Sequence, residues 1–441
     1  MKKAAYSWNE LKSTFWFFPV LLISLAIVLA FIFLYFDSQI GYPKGAWQYL
    51  FISDANSARI ILSTIAGVMI GVAGTVFSIM LVVLTLASSQ FGSNLIRNFM
   101  HVRLNQVVLG AYISTFAYCL IILNTIRNND QVVFVPSFAI LIALLSTVAN
   151  IILLIFFIHN TAVSIQANTV ISDISESLSK NIKTLFPESE EDNLDEEKEQ
   201  DEDLLKRGFK EKHTFSASKS GYLQYISFES LIGLAVELDS LIELHFRPGD
   251  YLVKDVELGT VYSQVTLEKE KISRLQTQFI VGKNRSQQQD AEHSIHQMVE
   301  IAARALSPGI NDPYTAITCI DNLTATMCYL ATTKFPSKYL HDKEGKLRII
   351  ADPLTYEGMI DAAFNQIRQY AKGNPAVIIR LMEALITINK FTKGKKHKKA
   401  IEKHAMMVLN VANKSFDEPN DLNDLKERSR LILSKRAHDQ H

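Results

Sequence analysis

IILSTIAGVMIGVAGTVFSIMLVVLTLA, residues 60–87, contains no Asp, Glu, Lys or Arg. A bilayer core about 30 Å thick is crossed by roughly 20 mostly apolar helical residues, so this stretch is long enough to span it. Its polar content is patterned. Thr64, Gly71, Ser78 and Thr85 recur every seven residues, Gly67, Gly74 and Ser88 nearly fill the companion positions, and Thr75 and Ser89 widen the same face. A seven-residue period keeps one stripe on one side of a slightly supercoiled helix. Gly67 and Gly71 also form a GxxxG, which lets two helix backbones approach closely. Two readings follow: a seam that packs against other helices of one bundle, or a pore lining formed when several subunits place this face around an axis, with Ser88, Ser89 and Gln90 continuing it.

Three further stretches qualify as spans: about Thr14 to Phe36, Val107 to Leu123, and Val132 to Ile158, all free of charged residues. Aromatics flank the first at Phe15–Phe18 and at Tyr35 and Phe36, as an interfacial belt requires. That span is too long for a signal-peptide core and lacks a small-residue cleavage site, so it is expected to be retained. Lys2, Lys3, Lys12, Arg97, Arg103, Lys180 and Lys183 fall on one side, against Lys44, Arg59 and Arg127 on the other. The positive-inside rule then puts both termini in the cytoplasm, and an even number of spans agrees.

Charge excludes other classes. Lys plus Arg and Asp plus Glu are both 45, and nucleic-acid binding usually needs a basic excess. Ion-coupled transporters usually bury an ionisable group at mid-membrane, whereas the spans offer only neutral groups such as Asn150, with His159 at their edge. A broken-helix transporter for a neutral or lipidic solute stays open. Cys119, Cys319 and Cys328 form no disulfide framework or metal cluster.

Beyond span two, Phe91, Leu95, Ile96, Phe99 and Met100 share one helical face. An interfacial helix is expected there, and Phe91, Leu95 and Phe99 are a candidate cytoplasmic gate. The motif stretches Ala58-Arg59, Ser63–Gly67, Phe77–Ile79, Leu86–Phe91, Arg97–Phe99 and Asn105–Gly110, with a later segment Arg304–Pro313 followed by Thr315-Ala316, resemble the bacterial family of predicted membrane proteins catalogued as domain of unknown function twenty-two fifty-four. The resemblance covers nearly the whole chain. It implies this architecture and brings no activity with it.

The remainder is expected to be cytoplasmic and α+β. The organisation predicted is a four-helix transmembrane domain (1–160), a helical extension (161–187) ended by Pro187, an acidic linker (188–212), a small β module (213–266) and a helical domain (267–441). Within the β module, Gly221–Ile226 and Leu241–Phe246 are predicted strands, Glu229–Leu238 a short helix, and Arg247-Pro248-Gly249-Asp250 a turn. That turn and the strand after it are similar to those of biotinyl/lipoyl-like small barrels, but the carrier lysine is absent, so a structural or oligomerising module is expected.

Helices are predicted over Gln288–Leu306, Thr355–Ala371, Pro375–Phe391, Lys399–Asn413 and Asp421–Lys435. Ser307-Pro308-Gly309 ends the first, and Asn311 or Asp312 caps the next, with Pro313 in its first turn. This turn is a tight helix connection, or a ligand or partner site. His293 and His296, near Glu292 and Glu300, could ligate a metal from one face; with no further ligand cluster, a solvated polar face is the simpler reading. The basic run Lys390, Lys393, Lys395, Lys396, Lys398 and Lys399 meets anionic headgroups, balances the acidic linker, or is a solvated loop. No nucleotide, nucleophile-elbow or HExxH motif is present, so neither enzyme activity nor a cofactor or metal is implied. The expectation is a homo-oligomeric pore for an ion or small solute, the alternative a non-conducting scaffold.

Overall fold

The computed structural model describes residues 14–39, 54–91, 103–129, 132–164, 166–187 and 201–433. The chain divides into two compact units, Met1–Thr169 and Val170–His441. Each is described separately below.

The first unit holds four helices long and apolar enough to cross a membrane: α1 (Phe17–Gln39), α2 (Ala55–Phe91), α3 (Arg103–Thr125) and, after a short antiparallel pair β1 (Arg127–Asn129) and β2 (Val132–Phe134), α4 (Ser137–Ser164). The fourth helix therefore starts later than Val132, where the apolar run begins. Val132–Phe134 pairs with Arg127–Asn129 instead, and Pro136, which has no N–H to give, leads the helix in. Helix α3 is the hub: α1, α2 and α4 all pack on it, and it is the most buried of the four.

The α1–α3 contact is close at Gly110, where an added Cβ would lie 2.9 Å from both Pro19 Cα and Leu22 Cδ1. The polar core of this unit is small. Asn150 Nδ2 donates to Thr115 Oγ1 at 2.8 Å and lies 3.5 Å from Met69 Sδ, while Tyr112 Oη donates to the Asn150 carbonyl at 2.8 Å. Asp37, at the end of α1, accepts from the N–H groups of Phe138 (3.0 Å) and Ala139 (2.9 Å). It thus caps α4 from a neighbouring helix, satisfying donors that the helix cannot pair itself.

Most of α5 (Ala167–Leu185) belongs to the second unit; it is a separate helix, not the continuation of α4 that the sequence suggested, since Gln166 is not helical, and it ends two residues before Pro187. Linker residues 188–200 lie outside the described residues, but the linker's later part is folded. Helix α6 (Glu202–Lys206) is capped by Asp201, whose side chain accepts from the N–H groups of Asp203 and Leu204. Lys206 Nζ bonds Glu243 at 2.7 Å, and Lys338 pairs with Glu202. Lys338, from elsewhere in the chain, offsets part of the segment's acidity, while the segment's own Lys206 ties it to Glu243.

The strands are β3 (Glu211–Ser216), β4 (Gly221–Ile226), β5 (Leu241–Leu244), β6 (Tyr251–Leu252), β7 (Glu257–Ser263), β8 (Phe279–Gly282), β9 (Tyr339–His341) and β10 (Leu347–Ile350). They form two open sheets, ordered β3-β7-β5-β10-β9 and β6-β4-β8, and not a closed barrel. Helices α7 (Phe228–Glu237) and α8 (Lys269–Gln276) complete this part. Its core gathers Phe215, Leu223, Leu231, Ile242, Val261 and Ile349.

Three of these strands fall within 267–441, which was expected to be wholly helical. Strand β8 pairs with β4, and β10 lies parallel to β5 with Ile349 opposite Ile242. Most of that pair is buried, and Leu347–Ile350, only four residues long and interrupted by the buried, ion-paired Arg348, carries no period of its own to mark it as a strand.

Helices α9 (Ala291–Ala305), α10 (Pro313–Leu330), α11 (Tyr356–Tyr370), α12 (Pro375–Phe391), α13 (Lys395–Ser415) and α14 (Pro419–Leu433) follow. Helix α12 packs on α10, α13 and α14, and α9 on α10 and α11. Their buried faces include Met298, Ile320, Met359, Phe364, Leu381 and Ile401. Much of the lysine run lies in the first turns of α13 and so is helix, not loop.

Candidate functional site

Helix α2 is buried along one side only. Leu62, Ile65, Met69, Ala73, Val76 and Met80 form the side packed into the first unit. The stripe lies roughly half a turn away from them. Thr64, Gly67, Gly71, Gly74, Thr75, Ser78, Thr85 and Ser89 are all exposed, and Ser88 is half-buried. No atom comes within 4 Å of a Cβ built on Gly67, Gly71 or Gly74. The seam therefore does not glue this helix to its own bundle; that work is done by the opposite face.

Along the stripe, hydroxyls bond back to the helix: Thr64 Oγ1 donates to the Ile60 carbonyl (2.7 Å), Thr75 to Gly71 (3.2 Å), Thr85 to Leu81 (2.9 Å), and Ser89 Oγ to Leu86 (2.8 Å). With the donor satisfied, each oxygen presents lone pairs outward. The surface that results is smooth, low and acceptor-rich. Of the candidate gate, Leu95 and Phe99 lie outside the described residues, as do the side chains of Phe91 and Gln90.

The turn joining α9 to α10 takes the conformation its sequence demands. Asn311 sits at φ +49, in the left-handed region that asparagine tolerates. Asp312 caps α10, accepting from the Thr315 N–H (3.1 Å) and hydroxyl (2.6 Å), with Pro313 in the first turn. The Asp312 N–H returns to the Ala305 carbonyl at 2.8 Å, and the N–H groups of Ile310 and Asn311 both reach the Ser307 carbonyl. Pro308, Gly309, Ile310 and Tyr314 face outward, Tyr314 being 79% exposed.

His293 and His296 belong neither to a metal set nor to a plain solvated face. Among the described residues no group of three potential ligands is close enough to hold a metal. Arg285 grips the buried Asp290 with two hydrogen bonds (2.7 and 2.8 Å) and lies 3.1 Å from His296 Nδ1. Asp290 in turn caps α9 at His293 N–H. Burial, with the Arg285 charge, holds the His296 imidazole below its ordinary range; burial raises the Glu292 carboxyl, against the pull of Arg247. Gly249 (φ +104) lets the Arg247–Asp250 turn approach, since a Cβ there would lie 2.6 Å from Asp290 Oδ2.

Sequence reasoning missed one site altogether. A cavity of about 390 Å³ opens in the second unit, lined almost wholly by apolar side chains from α5, α7, β5 and the segments around 336–340 and 351–354, with Arg247 and Asp352 at its polar end. Its walls are scattered across the chain, so no local pattern announces it.

Comparison with known proteins fits the membrane half. The family described as "Predicted membrane protein (DUF2254)" matches residues 12–387. The chain belongs to this family. Similar proteins include "Uncharacterized protein Rv1290c" of Mycobacterium tuberculosis (strain H37Rv) and "Uncharacterized protein Mb1321c" of Mycobacterium bovis. Each is 29% identical over 379 residues, which is 85% of this chain and 72% of the relative. No solved structure matches. The DUF2254 match takes in both motif regions, the α2 stripe and the α9–α10 turn.

Proposed function

We propose that this DUF2254 protein is a homo-oligomeric pore of a bacterial inner membrane, with the α2 stripe lining its axis. The observation carrying the reading is that the stripe is exposed on the side of α2 opposite the buried face. An acceptor-rich surface without charge suits a water-filled path for an ion or small solute. Both termini face the cytoplasm in this proposal, where the second unit serves as vestibule and assembly platform. It includes no catalytic step, cofactor or nucleic acid.

The test is electrical. Reconstituted protein should conduct, and Thr75→Leu or Ser78→Leu should lower the conductance; silent wild-type bilayers, or currents unchanged by both substitutions, overturn the reading.

One observation favours a second reading. The threonine hydroxyls are satisfied by their own helix, and open glycines suit close helix–helix contact, as in a non-conducting scaffold whose copies meet along α2. Cysteines introduced in the stripe would then cross-link between copies yet resist water-soluble thiol reagents.

A further inference from the structure

The apolar cavity of the second unit has an unusually short polar inventory. Gln289 is spent: its Oε1 accepts from the Ile226 N–H (2.8 Å) and its Nε2 donates to the Ile226 carbonyl (3.1 Å). Ser337 is spent too, donating to the Tyr339 carbonyl (2.6 Å) and accepting from the Tyr339 N–H (2.9 Å). What remains is Arg247, with Asp352 beside it. Its Nη2 donates to Glu292 at 2.9 Å, but Nη1 has only Asp352 at 3.8 Å, beyond hydrogen-bond reach. An occupant therefore meets hydrocarbon walls, the Arg247 Nη1 group as donor and the exposed Asp352 carboxylate beside it. Its head is constrained in charge as well. Glu292 and Asp352 already balance the guanidinium, so an anionic head would face two carboxylates for a single cation.

We propose that this cavity binds one neutral lipid of the bilayer: an uncharged amphiphile with a hydrocarbon tail among Phe228, Ile232, Leu244, Phe246 and Leu340, and an ester or carbonyl oxygen that accepts from Arg247 Nη1. The volume lies in the range of small-molecule sites, roughly 300–1,000 Å³, and the same chain carries four helices long and apolar enough to cross a membrane. Leu185 and Phe186, at the end of α5, form part of the wall. Phe186 is fixed there by the Tyr329 hydroxyl on its carbonyl (2.8 Å) and by the Phe335 ring at 4.9 Å. The site does not depend on conduction through α2.

Full-length protein in bilayer nanodiscs is irradiated with a long-chain monoacylglycerol carrying a diazirine in its tail, and the labelled peptides are mapped. Labelling is expected in 226–248 and 336–354. Unlabelled monoacylglycerol should displace it at about tenfold lower concentration than the fatty acid of the same chain, the equivalent of about 1.4 kcal/mol. Ala351→Trp, which fills the cavity, should remove the labelling; Leu340→Trp serves if that variant does not fold. Labelling confined to 14–164, labelling undiminished in a folded filled variant, or equal displacement by the fatty acid overturns the proposal.

Discussion

Several single residues carry more of this structure than their types suggest. Gly110 is required by space: its hydrogen faces Pro19 Cα and Leu22 Cδ1 where a methyl would sit 2.9 Å from both. Backbone cannot yield as a side-chain tip can, so Gly110→Ala should separate α1 from α3 and cost about 1–3 kcal/mol; a melting temperature equal to wild type in detergent would refute this. Asp37 is required by unpaired donors at the start of α4, and Asp37→Ala should cost about 0.5–2 kcal/mol by the same measurement.

His404 is wholly buried with Nε2 2.9 Å from Asp361 and no partner for Nδ1. Burial holds its pKa below the usual 6.5, with Asp361 opposing and Lys403 and Arg368 assisting. A depressed histidine binds its proton more readily when unfolded. Its contribution to stability is therefore complete above pH 6.5 and is lost as pH falls from 6.5 through the folded value. His296 shifts in the same sense, whereas the raised Glu292 works in the opposite one. Between about pH 7.5 and about pH 5.5 the melting temperature should fall, and less steeply in His404→Gln. An identical slope in that variant would remove His404 from the account.

At the scale of elements, α2 poses the main question, because two faces of one helix have opposite tasks. Its aliphatic face holds the bundle together, and its stripe faces away. Thr64→Cys, Gly71→Cys, Ser78→Cys and Thr85→Cys should each react with a water-soluble thiol reagent in liposomes if the stripe lines water, while Phe77→Cys or Leu86→Cys, exposed but off the stripe, should not. Uniform protection of the stripe would mean that lipid or another helix covers it. The sequence disclosed the stripe through its seven-residue period, and disclosed the α9–α10 turn through Ser307-Pro308-Gly309 and Asp312-Pro313. Both are local signals, written in neighbours one to seven residues apart.

For the whole molecule, the second unit folds through contacts far apart in sequence. Strand β5 is flanked by β7, from the same segment, and by β10, about a hundred residues later. A fragment of residues 213–266 keeps most of β3 and all of β4 to β7 but lacks β8, β9 and β10, leaving Ile242 without Ile349 and β4 without its longer partner. That fragment is expected to be unfolded on its own, and a dispersed amide spectrum from it would show that the β module is independent after all.

The chain's four membrane-length helices, their small-residue stripe, most of its later helices and its capped turn are legible in the sequence, because each depends on hydrophobic period or on backbone chemistry within a few residues. Which side of α2 the stripe occupies relative to the bundle, the parallel union of β10 with β5, the capping of α4 by Asp37 and the walls of the apolar cavity were decided by the tertiary structure. Those features depend on what a residue meets across space, and a one-dimensional pattern carries no record of the neighbour that folding will bring.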